Sequence, residues 1–567
     1  MTTLESMAAS AWLWERMTDH LDRGALKTEQ AACTYRQVLA DAERIALQLR
    51  DHLGTQGAVL VLAPRAVPDT VRLLLGLWRC GLTPVLADAA TPDARVEELL
   101  ASLPPVGVLN PKRPDEPAGT DDVLAGDLVW QVRRCDVATR FPYGCPDPAY
   151  VIATSGSTGK PKMVLCRHSG LAHTADVLAS RYGYGPDSRV LQFAPASYDA
   201  MIADVVVPLS VGSTLVFGRL GEPPSPERIS ELIAAARVTH VTLPPTVLRH
   251  LTMLEAPECT IVSAGEALDG ALADWLLDRC RRLINAYGPC EATIAATAFD
   301  VVAPAPDAVP IGAPLRGVEV TLDDIPDQRT DLHPHAGIIS IGGPTVAWGY
   351  ITADRLASPS SPGFSENARF LTGDLAWRTK AGQLVFLSRI DRQIKRWGHR
   401  VEPGGIERRL RTIPGVTDCA VVPDSGRLHA FVVSEQTEDE LAADAGRLLA
   451  RHEQPTNWHV VDRLPALSSD KTNVAALMDT AASAARADTE PAAPTVTAGL
   501  DPRLVTLWER FVGPVVEPDT DLFASGADSM AVVLLLAAIN EQFGVSIDLT
   551  EFLACPTLTA LDARVGS

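Results

Sequence analysis

Between about residues 30 and 390, short apolar runs such as Ala58-Val-Leu-Val-Leu-Ala63 alternate with helix-like stretches such as Thr70 to Trp78. This alternation constrains the fold more than any other feature, because each apolar strand needs an amphipathic neighbour to cover it, and it predicts a large α/β body. Short β-rich runs at Gly337–Ile341 and Gln383–Leu387, set among Pro and Gly, predict smaller sheets late in that body. After Asp391, strand-like Cys419–Val422 and Ala430–Val433 precede a helix-like stretch from Glu438 to Arg451, the pattern of a small α+β unit. Residues 481–500 hold eight Ala and two Pro with few large apolar side chains, bury little, and read as a linker. From Asp501 to Ser567 ten acidic residues stand against three basic ones, which marks a mobile acidic module that docks on other surfaces. Its Met530–Ile539 run is more apolar than one helix face requires and predicts a helix buried in a small bundle. The chain therefore divides into 1–390, 391–480, a linker over 481–500, and 501–567.

Composition narrows the function. Lys plus Arg (50) against Asp plus Glu (70) gives a net charge of −20, which repels a phosphate backbone or an anionic bilayer, so nucleic acid and membrane are poor partners. The ten cysteines contain no Cys-x-x-Cys pair and fit neither a disulfide scaffold nor a zinc site, which points to a reducing cytoplasm. Met-Thr-Thr-Leu-Glu-Ser at the N-terminus lacks the features of a signal peptide, and no apolar run approaches the roughly 18 residues of a membrane span.

The chemistry-bearing stretch is Tyr150-Val-Ile-Ala-Thr-Ser-Gly-Ser-Thr-Gly-Lys-Pro-Lys162. An apolar strand feeds a loop of hydroxyl-bearing residues and glycines closed by lysines, and exposed backbone N–H groups, hydroxyls and Lys charge suit a triphosphate. The Gly-x4-Gly-Lys-Ser/Thr spacing of the P-loop is absent. The loop residues Thr154, Ser155, Gly156, Ser157, Thr158, Gly159 and Lys160 resemble the phosphate signature of the adenylate-forming superfamily. Asn285-Ala-Tyr-Gly-Pro-Cys-Glu291 resembles its adenine and magnesium motif, Leu371-Thr-Gly-Asp374 its ribose motif, Ser388-Arg-Ile-Asp391 its hinge, and Gln393 to Glu402 the segment after the hinge. The five occur in the family's order.

The resemblance implies ATP and Mg²⁺ as cofactors. Asp374 would accept from two ribose hydroxyls with Arg389 as a nearby donor, Tyr287 would offer a stacking face, and Asn285 an amide to the adenine edge. Glu291 and Thr154 would face the metal. Asp521-Leu-Phe-Ala-Ser-Gly-Ala-Asp-Ser529-Met resembles the attachment site of peptidyl carrier proteins, with Ser529 carrying 4′-phosphopantetheine after the action of a phosphopantetheinyl transferase. Ser525 and Ala527 stand where that family usually has Leu and Gly. Nearly the whole chain thus resembles a nonribosomal peptide synthetase adenylation–carrier didomain: a large α/β adenylation core, a small α+β subdomain and an all-α four-helix carrier bundle.

Two half-reactions follow from the resemblance. A carboxylate attacks the α-phosphorus of ATP with release of pyrophosphate, and the pantetheine thiol then attacks the acyl-adenylate. Meeting anions need electrostatic stabilisation, and Lys471 in Leu464-Pro-Ala-Leu-Ser-Ser-Asp-Lys-Thr-Asn473 is the candidate cation, with Asp470 and Asn473 where the family has Gly and Asp. Asp391 is the hinge about which the small unit would swing between steps.

Motif alignment carries over a substrate pocket. Asp199 would pair with a free α-amino group and Lys471 with the α-carboxylate, which favours an α-amino acid. The side-chain wall reads Ala200, Ala203, Thr242, Val262, Ala264, Ala286, Ile294 and Ala295, apolar and wide with one hydroxyl, and resembles the lining for Tyr, Trp or Phe. With no condensation unit before and no thioesterase after, the amino acid would pass to tailoring or condensing enzymes acting in trans, with a small MbtH-like activator as a further partner, in nonribosomal peptide or antibiotic biosynthesis. The competing readings are an acyl- or aryl-acid CoA ligase and a catalytically silent carrier scaffold.

Overall fold

The computed structural model describes residues 10–112, 116, 119, 122–135, 145–154, 161–220, 224–251, 253–325, 335–351, 369–389, 394–396, 399–401, 403–424, 427–461, 463–464, 477, 500–511, 522, 535–536, 538–539, 542–543, 545, 547, 552 and 557–565. Two compact units emerge: Met1–Arg219 with Pro226–Gly405 and Arg447–Glu453, and Leu220–Ser225 with Ile406–Gly446 and Gln454–Ser567.

The first unit is the α/β body. One sheet has eight strands in the order Gly349–Ile351, Lys162–Arg167, Pro148–Thr154, Thr83–Asp88, Ala58–Ala63, Gly107–Pro111, Leu128–Arg134, Asp122–Ala125. A second has nine, in the order Ala313–Pro314, Thr297–Val301, Cys280–Tyr287, Ala256–Ala264, His240–Leu243, Arg189–Leu191, Thr214–Val216, Gly24–Lys27, Ala32–Thr34. Its interior pairs are parallel and its outer pairs antiparallel. A four-stranded sheet, Glu319–Asp323, Ala336–Gly342, Phe370–Arg378 and Leu384–Arg389, contains both late β-rich runs.

Local chemistry sets the helix ends. Thr34 and Gln37 exchange the two bonds of a capping box at the start of helix Tyr35–Leu53, satisfying donors that the first turn leaves open. Helix Pro68–Cys80 starts on a proline, whose missing N–H costs nothing there, and stops at Gly81 in the left-handed region. That helix buries most of its surface, as does the apolar strand Ala58–Ala63 before it. In open α/β sheets ligands gather at the carboxyl ends of parallel strands, which here are Leu243, Ala264 and Tyr287.

In the second unit, strand Asp418–Asp424 pairs antiparallel with Arg427–Val433, which pairs parallel with Asn457–Val460. The parallel return requires a crossover, supplied by helix Glu438–Leu448. The helix ends before Arg451, which instead begins a single 3₁₀ turn, Arg451–Glu453. In the C-terminal module, helices Pro502–Phe511 and Leu558–Val565 contribute Leu504, Trp508 and Leu561 to a separate apolar core with Leu535, Leu536 and Ile539 from the predicted buried run. The hairpin Ile394–Arg396/His399–Val401 groups with the first unit, which extends to Gly405, beyond the boundary expected near residue 390. Among the described residues no helix is long and apolar enough to cross a membrane, and the nine described cysteines are all free.

Candidate active site

Strands Pro148–Thr154 and Lys162–Arg167 form a hairpin in which Thr154 lies opposite Lys162 and donates its hydroxyl to the Lys162 carbonyl at 3.3 Å. Lys162 Nζ stands 5.5 Å from the centre of the Tyr350 ring, and the Tyr350 hydroxyl donates to Glu291 Oε1 at 2.6 Å. Glu291 is fully buried, at 0% exposed. The base of the expected phosphate loop and the expected metal-facing carboxylate are therefore joined through one tyrosine. Loop residues Ser155, Gly156, Ser157, Thr158, Gly159 and Lys160 lie outside the described residues, as do Asp391, Lys471 and Ser529.

Strand Cys280–Tyr287 delivers Asn285, Ala286 and Tyr287 at its carboxyl end, where alternation sends Asn285 and Tyr287 to one face and Ala286 to the other. On the first face, the Tyr287 hydroxyl donates to Asp374 Oδ2 at 2.6 Å, and Arg389 forms an ion pair with Oδ1 of the same carboxylate. Asp374 and Arg389 are cross-strand partners in the four-stranded sheet, so sheet register fixes the pair. Asp374 is only 1% exposed, and burial together with the adjoining carboxylate pushes the Tyr287 phenol well above its usual range, keeping it a donor. Asn285 spends a donor on the Pro310 carbonyl at 2.9 Å, so its amide is oriented by the protein itself.

The turn after this strand is tight. Ala296 N–H returns to the Tyr287 carbonyl at 2.8 Å, and a Cβ on Gly288 would fall 2.5 Å from Ala295 Cα and the Ile294 carbonyl, so only glycine fits. Thr293 and Ile294 take φ of +50° and +83°, strained values for β-branched residues. The Thr293 hydroxyl, donating to the Thr345 carbonyl at 2.5 Å, helps hold the turn that presents Ile294 and Ala295.

The opposite face builds the wall. Thr242 pairs with Val262 and Ala264 with Ala286 in parallel register, so their side chains share one face across three adjacent strands. Helix Asp199–Leu209 adds Ala200 and Ala203 one turn apart and places Asp199 in its first turn, where the helix dipole favours a negative charge. Seven of the eight wall positions belong to or pack on one apolar cluster; Thr242 is the exception.

Three residues near this site escaped the sequence reading. Cys290 lies inside the Asn285–Glu291 motif, and burial, with the Asp199 carboxylate nearby, pushes its thiol well above the usual range so that it stays protonated. Tyr184 packs its ring 4.6 Å from that of His240, which stands two residues before Thr242 on strand His240–Leu243. Asp204 is a buried carboxylate on the otherwise apolar pocket helix and accepts from Phe193 N–H at 3.2 Å and Ala194 N–H at 3.1 Å, tying the helix to the segment before Asp199. A second carboxylate, five residues after Asp199 on an otherwise apolar helix, was the available signal.

Burial pushes Asp204 up to about 7 from 3.8. A group raised on folding contributes stability that is fully present below its unfolded pKa and is lost as pH rises through its folded one. Melting temperature should therefore fall as pH rises from about 4 to about 7, and Asp204→Asn, which keeps an acceptor without the charge, should flatten that fall. An unchanged pH profile in the variant would contradict this assignment.

The family description "AMP-binding enzyme" matches residues 13–351, which covers more than half of the chain. The chain belongs to the AMP-binding enzyme family. The AMP-binding enzyme C-terminal domain matches residues 405–471, and the phosphopantetheine attachment site matches 502–565. The chain is thus an adenylate-forming enzyme joined to a carrier domain, and ATP and 4′-phosphopantetheine are the groups these domains use. Novobiocin biosynthesis protein H of Streptomyces niveus is 30% identical, with 98% of this chain and 96% of that protein covered. Phosphinothricin tripeptide synthetase PhsC of Streptomyces viridochromogenes is 32% identical over 97% of this chain, which spans only 52% of that synthetase and under a tenth of some larger ones. The fold matches holo-PA1221, described as an NRPS protein containing adenylation and PCP domains bound to a vinylsulfonamide inhibitor, with TM-score 0.76, 24% identity, and coverage of 100% of this chain and 97% of that one.

Proposed function

We propose that this adenylate-forming enzyme activates an aromatic α-amino acid as its aminoacyl-AMP and transfers it to 4′-phosphopantetheine on its own Ser529. The observation that carries the reading is the uncharged wall from Thr242 and Val262 to Ala264 and Ala286, with Asp199 at the adjoining helix start. Asp199 pairs with the α-ammonium group, Ala200 and Ala203 leave width for a ring, and a charged side chain would be buried against apolar surface at a cost of several kcal/mol. Novobiocin biosynthesis protein H, matched almost end to end, supports a place in natural-product assembly.

In the first half-reaction a substrate carboxylate oxygen bonds the α-phosphorus as the bond to the β-phosphate oxygen breaks, and Lys471 balances the accumulating negative charge. Asp374, held by Tyr287 and Arg389, receives the ribose hydroxyls. Glu291 and Thr154 supply oxygen ligands that suit Mg²⁺, which is commonly held by one or two carboxylates together with substrate phosphates. When bound, a metal held by these residues would supply neutralisation of phosphate charge, and the Tyr350 hydroxyl, donating to Glu291 Oε1 at 2.6 Å, orients the carboxylate that would hold it. When attached, the pantetheine arm supplies the thiol that accepts the acyl group. A phosphopantetheinyl transferase is the partner that installs it; an MbtH-like activator and enzymes that take the amino acid in trans complete the set, in the cytoplasm.

Pyrophosphate exchange across the common amino acids, with an MbtH-like protein present, tests the substrate class. The expected result is highest kcat/KM for Phe, Tyr or Trp and negligible exchange with Lys, Arg, Asp or Glu. Preference for a charged or small amino acid would overturn the aromatic assignment, and exchange driven by aryl or fatty acids would favour a CoA ligase.

A further inference from the structure

Arg65 lies in the loop between strand Ala58–Ala63 of the eight-stranded sheet and helix Pro68–Cys80. It reaches across to the nine-stranded sheet, where the segment after strand Arg189–Leu191 leads into the helix that starts with Asp199. Its Nε donates to the Phe193 carbonyl at 3.3 Å, and its guanidinium carbon stands 4.9 Å from the centre of the Phe193 ring, within the range of a cation–π contact. From the pocket helix, Asp204 accepts from the Phe193 and Ala194 N–H groups, and the Gln192 side-chain amide donates to the Ala194 carbonyl at 2.6 Å. The segment then turns through a bond from Tyr198 N–H to the Pro195 carbonyl at 3.1 Å, and Tyr198 is the N-cap residue of the Asp199 helix. Ala66, next to Arg65, takes φ of +51°, a strained value that persists only where surrounding contacts fix it. Loop and segment line one small cavity with Ala66, Ala194 and Met201 in its walls, so apolar packing between them is incomplete and the Arg65 contacts bridge it.

We infer that Arg65 is a positioning residue for amino-acid recognition: by holding Phe193 it fixes where the following turn places the Asp199 carboxylate, relative to the sheet that carries the Pro148–Thr154 and Lys162–Arg167 hairpin. The inference rests on the proposed pairing of Asp199 with the α-ammonium group. Asp204 does not supply this link, because it shares a helix with Asp199 and ties the segment only to that helix. Arg65 ties the same residue, Phe193, to the other sheet. A guanidinium suits the task, since its flat face stacks on a ring while its N–H groups donate in the plane, which a compact ammonium does less well. A recognition group displaced by about 1 Å can cost on the order of 10²-fold in rate, so a tether six residues upstream of Asp199 is felt at the ammonium.

The test compares, by pyrophosphate exchange on the full chain, kcat/KM for the amino acid ranked first in the survey above and for the same acid without its α-amino group, 3-phenylpropanoate in the case of phenylalanine. The wild type should favour the amino acid strongly. Arg65→Met keeps the aliphatic stem but removes the donor and the charge, and it should lower that ratio about tenfold while changing the KM for ATP by less than about twofold. Arg65→Lys keeps a charge and a donor without the flat face, and its ratio should fall between the two. A ratio unmoved in both variants, with the wild type still favouring the amino acid, would overturn the role of Arg65 alone. A wild type that does not favour the amino acid over its desamino counterpart would overturn the Asp199 pairing and this inference with it. A substrate ratio separates positioning from a merely structural role, since loss of folded protein lowers both rates together.

Discussion

Asp374→Ala should raise the KM for ATP by on the order of 10²-fold or more while changing the KM for the amino acid far less. The carboxylate offers two charge-assisted bonds to ribose, each worth about 1.5–3 kcal/mol, and every 1.4 kcal/mol is a factor of about ten in affinity. The same substitution leaves Arg389 and the Tyr287 hydroxyl without their shared acceptor. Breaking a buried pair from one side costs about 3–5 kcal/mol, so a lower melting temperature should accompany the kinetic loss. Asp374→Asn separates the two effects in part: its one amide oxygen keeps an acceptor for Tyr287 while its nitrogen replaces the oxygen that accepts from Arg389, so it should recover part of the stability with less of the ATP affinity. Equal losses toward ATP and amino acid in both variants would indicate general disruption and would contradict a ribose role.

Lys471→Ala should reduce adenylate formation by at least the 10²–10³-fold typical of removing one preorganised donor to developing charge. Transfer from a separately supplied aminoacyl-adenylate to the pantetheine arm should survive largely intact, since that step brings no second anion to the phosphorus. Asp470 adjoins the lysine in sequence and can pair with it, drawing off part of its charge. Asp470→Gly should therefore accelerate the first step. Survival of both steps in Lys471→Ala would remove Lys471 from the reaction.

The division of labour between the sheets was legible because it rests on local pattern. Apolar runs such as Ala58–Ala63 and the proline-led helix after it carry their own start and stop signals, and both appear where expected. The grouping of Tyr287, Asp374 and Arg389 followed from motif order, although Tyr287 and Asp374 stand 87 residues apart. What the sequence concealed is the set of contacts around those residues. Tyr184 reaches His240 from a turn on another element, with no periodicity linking them, and Asp204 looks like an ordinary helix carboxylate until Phe193 and Ala194 are seen donating to it. The amide of Asn285 reads as free to meet a base, yet the fold aims a donor at Pro310. Strand alternation puts Asn285 and Tyr287 opposite Ala286, so that in the proposed function one short motif would serve both nucleotide and amino-acid sides.

Loading of the chain's own carrier with an aromatic amino acid is the step on which the proposed function rests. Intact mass of the pantetheinylated full-length protein, incubated with ATP, Mg²⁺, an MbtH-like protein and a mixture of amino acids, measures it directly, with Ser529→Ala as control. The expected result is a mass gain equal to one aromatic aminoacyl group on the Ser529 form and none on the variant. A gain that persists in Ser529→Ala, a gain matching a non-aromatic acyl group, or no gain on confirmed pantetheinylated protein would contradict it.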